Sequence, residues 1–289
     1  MNTTFKSIAI IGKYMNESAL RLMKHDLADL AQHLAAKNIE IWIEEATAKH
    51  AELTGFNTAT LQNIGEKVEL AIVMGGDGTM LSVARSLIDC EVPLVGINRG
   101  RFGFLTDLRV EDMLQQIDLI LAGEFTKEPR VMLAGKVLRD GRVVHADYAL
   151  NDVVIKSALR LIELEVTIDG DFVHKQRSDG LIVSTPTGTT AYALSAGGPI
   201  LHPNLHAISL VPICPHTLSN RPIAVHSDSL IEINLVQFDE AQLSFDGQFQ
   251  LALEVGDQVV IHRAQQTVSL LHPSDYRYFD MLRNKLNWG

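Results

Sequence analysis

Cysteine is scarce in this chain: Cys90 and Cys214 stand far apart in 289 residues and share no metal-ligand spacing. A disulfide framework is therefore not expected, and two isolated structural thiols suit a reducing compartment. Positive charge is also in short supply. The 25 Lys and Arg against 35 Asp and Glu leave a net charge of -10, which argues against the broad basic surface that nucleic acid or an anionic membrane requires. No apolar run approaches the roughly 20 residues of a membrane span. Ser7 to Ile11 is too short for the apolar core of a secretory signal. Internal repeats, low-complexity tracts and long charge runs are missing too. The reading is a cytoplasmic chain with no nucleic-acid or membrane partner. What remains is ordinary globular composition, 46% hydrophobic and 21% charged, with ample core for about two domains.

Two well-known phosphate loops are absent as well. After Gly78 come Thr79, Met80 and Leu81, so the G-x-G-x-x-G pattern lacks its third glycine, and no Gly-Lys-Ser/Thr follows. What stands there is Gly75-Gly76-Asp77-Gly78-Thr79. Before it, Glu69 to Met74 reads as a buried strand; after it, Leu81, Ala84, Leu87 and Ile88 recur at helical spacing. Three glycines let the backbone turn sharply and approach a ligand closely, and the amides opening the next helix point at whatever sits there, a phosphate above all. Asp77 is the odd member. A carboxylate among amides suited to anions is unfavourable unless it accepts a proton or holds a metal that offsets phosphate charge. The alternative is a strand-to-helix turn in which Asp-Gly serves backbone geometry alone.

The chain opens βαβα, the pattern of a parallel sheet. Ser7 to Gly12 reads as a strand, Ser18 to Ala36 as a helix with Leu20, Met23, Leu27, Leu30 and Leu34 on one face, Ile39, Ile41 and Ile43 as a second strand, and Thr58 to Lys67 as a weaker helix. Val92 to Asn98 is another strand, running into Arg99-Gly100-Arg101-Phe102-Gly103-Phe104-Leu105. Ligands of open α/β sheets bind beyond the carboxyl ends of strands, so this loop and the Asp77 loop should flank one crevice, where Arg99 or Arg101 could meet phosphates or simply be surface arginines. Glu111 to Ala122 reads as a closing helix.

From Pro129 the period becomes two, with turns at Asp140-Gly141, Asp169-Gly170, Asp246-Gly247 and Gly256-Asp257, so a β-rich second domain is expected. The boundaries read from the pattern are 1–126 with 275–289 for the α/β domain and 127–274 for the β-rich one. Tyr276, Phe279, Leu282 and Leu286 mark the face of a last helix that should dock back onto the first domain. Asn151-Asp152 interrupts the apolar strand Val143 to Ile155, either to face a ligand or as an edge position or bulge. Arg177 to Pro199 alternates hydroxyls, glycines and small residues, offering short donors and acceptors to a polar ligand, with Tyr192 as an aromatic face for a purine or nicotinamide ring; a solvated turn is the other reading.

These stretches, GGDGT, GINRGRFGFLTDL, NDVV, RSDGLIVSTPTGTTAYALSAGGPI, PHTLSNRPI, DGQ and HPSDYRYFDMLRNKLNWG, together resemble a bacterial NAD kinase along essentially the whole chain. Phosphofructokinases and lipid kinases share only the GGDG loop. The resemblance implies a Rossmann-like N-terminal domain, a β-sandwich, and a C-terminal helix returning to the first domain. It implies ATP-dependent phosphorylation of the 2′-hydroxyl of the adenosine ribose of NAD, with ATP as donor and a divalent cation such as Mg²⁺, whose ligands stay unassigned, and NAD lying across the crevice between domains. Asp77 falls on the proton acceptor, beside Gly75, Gly76, Gly78 and Thr79 of the phosphate loop. Asn151 and Asp152 fall on the ribose-binding pair, where most relatives carry Glu second, one methylene longer. Arg160, Arg177 and Asp179, the segment Thr190, Ala191, Tyr192, Ala193, Leu194 and Ser195, and Gln248 fall on other NAD contacts. Homodimers pairing into tetramers are implied as well. Another GGDG-loop kinase acting on lipid or sugar, or a nucleotide-binding regulator without turnover, is the alternative.

Overall fold

The computed structural model describes residues 3–12, 17–100, 103–157, 160–217 and 219–288, with the backbone alone at 17–22. The chain divides into two units, Met1–Pro129 with Val268–Gly289, and Arg130–Thr267.

In the first unit the elements run β1 (Ser7–Gly12), α1 (Glu17–Ala35), β2 (Glu40–Glu44), α2 (Glu45–Ala51), β3 (Asn57–Ala59), α3 (Leu61–Ile64), β4 (Leu70–Met74), α4 (Asp77–Ser86), β5 (Leu94–Asn98), β6 (Leu108–Arg109) and α5 (Met113–Leu121). The sheet order is β5-β4-β1-β2-β3 and every pairing is parallel. All of β4 is buried, as a central strand covered on both faces requires. Ile8, Ile10, Ile72 and Met74 pack with Leu27, Leu30 and Leu34 of α1 and Ile117 and Ile120 of α5. Each such side chain stabilises the fold by roughly 1.5–3 kcal/mol. The side chain of Leu20 lies outside the described residues.

Two local expectations give way here. Residues 58–67 form the end of β3, the single turn α3 and a 3₁₀ turn, Gly65–Lys67, instead of one helix. Trp42, Ile43 and Glu44 of β2 offer a parallel edge on which Asn57, Thr58 and Ala59 pair, and ladder bonds outweigh the weak helical pattern. Helix α2 was not foreseen because its cap is unusual: the Glu44 carboxylate accepts from the N–H groups of Ala46 at 3.1 Å and Thr47 at 2.7 Å, where Ser, Thr, Asp or Asn is the ordinary signal.

The second unit follows as β7 (Phe125–Arg139), which starts in the first, then β8 (Arg142–Ala149), β9 (Asp152–Lys156), β10 (Ile162–Ile168), β11 (Asp171–Ser178), β12 (Gly180–Ser184), the short α6 (Tyr192–Ser195), β13 (Ala207–Ile213), β14 (Ile223–His226), β15 (Ile231–Gln237), β16 (Gln242–Phe245), β17 (Phe249–Ala252) and β18 (Gln258–Pro273). One antiparallel sheet has the order β14-β13-β12-β9-β16-β17; the other carries β11-β10-β15-β18. Val153, Ile155, Leu181, Val183 and Leu210 of the first sheet meet Leu164, Val166, Ile233 and Leu235 of the second in one core, which makes a β-sandwich. The alternate residues Val154, Ile182 and Val211 face the other way and bury Ala193. That contact seats α6 on the outer face of the sheet. Both residues at Asp140-Gly141, Asp169-Gly170 and Asp246-Gly247 have positive φ, the geometry of tight hairpin turns.

Residues 143–155 are not one interrupted strand. β8 and β9 belong to different sheets, and Leu150-Asn151 is the passage between them. After β18 the last helix, α7 (Tyr278–Leu286), belongs to the first unit, as the returning helix requires. Its buried face is narrower than the spacing promised. Leu282 is buried, but Phe279 is 62% exposed, and Tyr276 precedes the helix, stacked on His272 at 4.1 Å.

Candidate active site

Gly76 caps α4, and Asp77 is its first residue. Its carboxylate is not isolated among amides. Oδ2 accepts from the N–H of Phe104 at 2.8 Å, and Oδ1 accepts from the N–H of Leu105 at 3.0 Å and the hydroxyl of Thr106 at 3.3 Å. The Asp77 side chain sits well in this anion-seeking loop because amides and a hydroxyl hold it at a helix start. The hydroxyl of Thr106 also accepts from the Asn98 amide at 3.1 Å. The loop after β5 therefore does reach Asp77. Gly103 is what permits it, since a Cβ there would stand 1.9 Å from Oδ1 of Asp77.

Gly76 and Gly78 have a different use from the one the sequence indicated. Neither has positive φ, and a Cβ on either would meet nothing within 4 Å. No sharp turn needs these glycines, so what they provide is open space beside the helix start. Gly75 donates its N–H to Ile97 at 2.9 Å, and the Thr79 hydroxyl is buried without a hydrogen-bond partner among the described residues. Arg99 is paired with Asp26 of α1. Arg101 lies outside the described residues.

In the second unit Asn151 and Asp152 stand where the chain passes between sheets. Asp152 is only 5% exposed, and its carboxyl is pushed up to about 7, first by burial and then by the charge of Asp246. Thr185 donates its N–H to the Asn151 carbonyl at 2.9 Å. Gly188 packs on the same carbonyl so closely that a Cβ would come within 2.1 Å of its oxygen. Asp246 was read only as a turn residue, yet its carboxylate accepts from the N–H groups of Leu150, Asn151 and Asp152. Nothing in an Asp-Gly hairpin signal reveals such a clamp. Gln248 is exposed in that same turn, its N–H on Phe245 at 3.0 Å.

The hydroxyl-rich segment is turned largely on itself. Thr185 donates to the Leu150 carbonyl at 2.6 Å, Thr189 to Pro186 at 2.6 Å and Thr190 to Thr187 at 3.1 Å, while Thr187 accepts from Arg130 at 3.2 Å. These groups build the loop instead of lining it with free donors. Ala191 donates its N–H to Gly188, Ala193 is a core residue, Leu194 is half-buried and Ser195 is exposed. Tyr192 is 39% exposed. Its hydroxyl is raised by burial and by the charges of Cys214, Asp179 and Asp152, and Lys156 lies 6.0 Å from its ring. Arg160, Arg177 and Asp179 line one cavity of about 500 Å³ with Glu163 and Asp239. Arg160 is exposed there and ion-paired with Asp239 at 2.7 Å.

The sequence model for the ATP-NAD kinase N-terminal domain matches residues 8–125, and that for the ATP-NAD kinase C-terminal domain matches residues 150–272. The NAD kinase of Thiobacillus denitrificans is 48% identical over 291 residues, covering 100% of this chain and 99% of its own. The chain belongs to the NAD kinase family. A second NAD kinase, from Aromatoleum aromaticum, is 48% identical over 296 residues, covering 100% of this chain and 96% of its own. Two solved structures share the fold at 23% identity. Yeast NADH kinase complexed with NADH has a TM-score of 0.88, covering 99% of this chain and 91% of that one. An Archaeoglobus fulgidus NAD kinase in complex with ATP has a TM-score of 0.74, covering 98% and 100%.

Proposed function

We propose that this chain transfers the γ-phosphoryl group of ATP to the 2′-hydroxyl of the adenosine ribose of NAD, giving NADP and ADP. The observation that carries the reading is Asp77: a carboxylate fixed at a helix start by two amides and a hydroxyl, beside two glycines that leave open space. Relatives 48% identical along the whole chain are NAD kinases, and structures of the same fold bind NADH and ATP.

The triphosphate approaches the α4 start, where amides and the helix dipole favour negative charge. A divalent cation would come with the ATP. The Asp77 carboxylate at the α4 start fits such an ion, since Mg²⁺ is commonly held by substrate phosphates with one or two carboxylates. When bound, it would supply charge neutralisation on the triphosphate. Asn151 and Asp152 hold the ribose hydroxyls, and Tyr192 offers its half-open ring to a base. Arg160, Arg177, Asp179, the residues from Thr190 to Ser195, and Gln248 complete NAD recognition. The 2′-oxygen bonds to the γ-phosphorus as the bond to the β-phosphate oxygen breaks. Asp77 takes the hydroxyl proton. In a loose phosphoryl-transfer transition state that proton moves late, so holding Asp77 in place matters more than its strength as a base.

Two free thiols support work in the reducing cytoplasm. Phe172 and Val173, exposed on the edge strand β11, support self-association into homodimers or homotetramers. The test is incubation of pure protein with NAD, ATP and Mg²⁺, followed by a NADP-specific dehydrogenase. NADP formation is expected; tight NAD binding without turnover, or phosphorylation of a lipid or sugar instead, overturns the reading.

A further inference from the structure

Asp246 makes more bonds than a hairpin turn needs. Its Oδ1 accepts from the N–H of Asn151 at 2.7 Å and of Asp152 at 3.1 Å, and its Oδ2 accepts from the N–H of Leu150 at 3.0 Å. In return its own N–H donates to the Asp152 carbonyl at 2.9 Å. Among the described residues the passage between β8 and β9 has no ladder partner at Leu150 and Asn151, and Leu150 is fully buried, so without this residue its amide would be left unsatisfied. Bonds from amides to a carboxylate are about twice as strong as neutral ones, so the three together tie the passage firmly.

We propose that Asp246 is a positioning residue for NAD: it fixes the backbone of Leu150 to Asp152 in the shape that lets Asn151 and Asp152 take the ribose hydroxyls. The inference rests on the NAD kinase reading above. Asp246 also has an electrostatic hold on the pair. Among the described residues, the charged and titratable groups that act on Asp152 are Asp246, from the β16–β17 turn, and Tyr192, from α6, which in turn feels Asp179 and Cys214. Removing the charge of Asp246 leaves burial alone to keep the Asp152 carboxyl raised, so its ionisation moves to lower pH.

Two variants separate positioning from folding. Asp246 has φ 51° and Gly247 φ 66°, and both Asn and Gly accept a left-handed backbone, so Asp246→Asn and Asp246→Gly keep the turn. Asn turns an NH₂ toward the Leu150 N–H, and Gly removes the clamp altogether. Wild type and both variants are compared by steady-state kinetics from about pH 5 to about pH 9, by NAD calorimetry and by melting temperature. Asp246→Gly is expected to raise KM for NAD roughly tenfold or more, with KM for ATP within about twofold. Asp246→Asn is expected to shift the acid limb of kcat/KM for NAD to lower pH. In an Asp152→Ala background the same Asn substitution should add less than half of its separate effect, because it acts through that residue. The positioning role is overturned if both variants keep the wild-type KM, Kd and pH profile, or if activity falls only in step with the folded fraction. A wild-type protein that makes no NADP overturns the kinase reading instead, and NAD calorimetry on the variants still tests the clamp.

Discussion

At the scale of single residues, Asp77 decides between catalysis and structure. Asparagine at 77 keeps an acceptor for Leu105 and Thr106 but cannot take a proton, and its NH₂ faces the Phe104 N–H. Asp77→Asn should therefore lower kcat by about 10² to 10⁴, roughly 3–5 kcal/mol of transition-state stabilisation, while calorimetry shows NAD still bound. Gly103→Ala attacks the same group indirectly. The new Cβ would stand 1.9 Å from the Asp77 oxygen and 2.3 Å from the Thr106 hydroxyl, so the carboxylate must move. Single-turnover rates should fall by about 10²-fold, since misplacement of about 1 Å is enough, with an unchanged circular dichroism spectrum. Wild-type rates would show that Asp77 need not be held.

Asp152 makes a prediction of stability with a definite sign. Its carboxyl is raised from 3.8 to about 7, so the folded state holds a proton that the unfolded chain releases. The contribution of this one group to stability is full below about pH 4, is lost as pH climbs through about 7, and amounts to roughly 4 kcal/mol. Asp152→Asn removes the buried charge. Thermal melts should show the variant several degrees more stable than wild type at about pH 8 and little different at about pH 4, even as KM for NAD rises. A variant less stable than wild type at the higher pH would contradict the burial argument.

At the scale of elements, the glycine loop carries the clearest contrast. Gly78 lies inside α4 with open space where its Cβ would be, and alanine is the better helix former by up to about 1 kcal/mol. Gly78→Ala should leave the melting temperature level or higher while kcat/KM for ATP falls by an order of magnitude or more, because in the proposed mechanism the phosphates take that space. Equal activity would mean that nothing approaches there.

The elements also show what a sequence discloses and what it withholds. β1, β4 and α1 were legible because periodicity is a local property that burial then enforces, and the Asp77 loop was legible because its composition serves no core. The corrections share a cause, since each depends on a partner distant along the chain. Asn57 to Ala59 became a strand by finding β2, and residues 143–155 split because two sheets claimed the halves. The Ser/Thr-rich segment advertised donors, yet composition cannot show that Thr185, Thr189 and Thr190 satisfy carbonyls of their own neighbourhood. Asp246 was hidden most completely, because Asp-Gly between strands already has a sufficient explanation as a turn.

At the scale of the whole molecule, family membership rests on full-length identity of 48%, and both fold halves agree with it. The central claim is the reaction itself, and the direct measurement is the stoichiometry of ATP consumed against NADP formed by purified wild-type protein with NAD and Mg²⁺. NADP is read by a NADP-specific dehydrogenase, which accepts only the 2′-phosphorylated product. One NADP is expected for each ADP, with both falling together in Asp77→Asn. ATP consumed without NADP, or NADP formed at the wild-type rate by that variant, would contradict that claim.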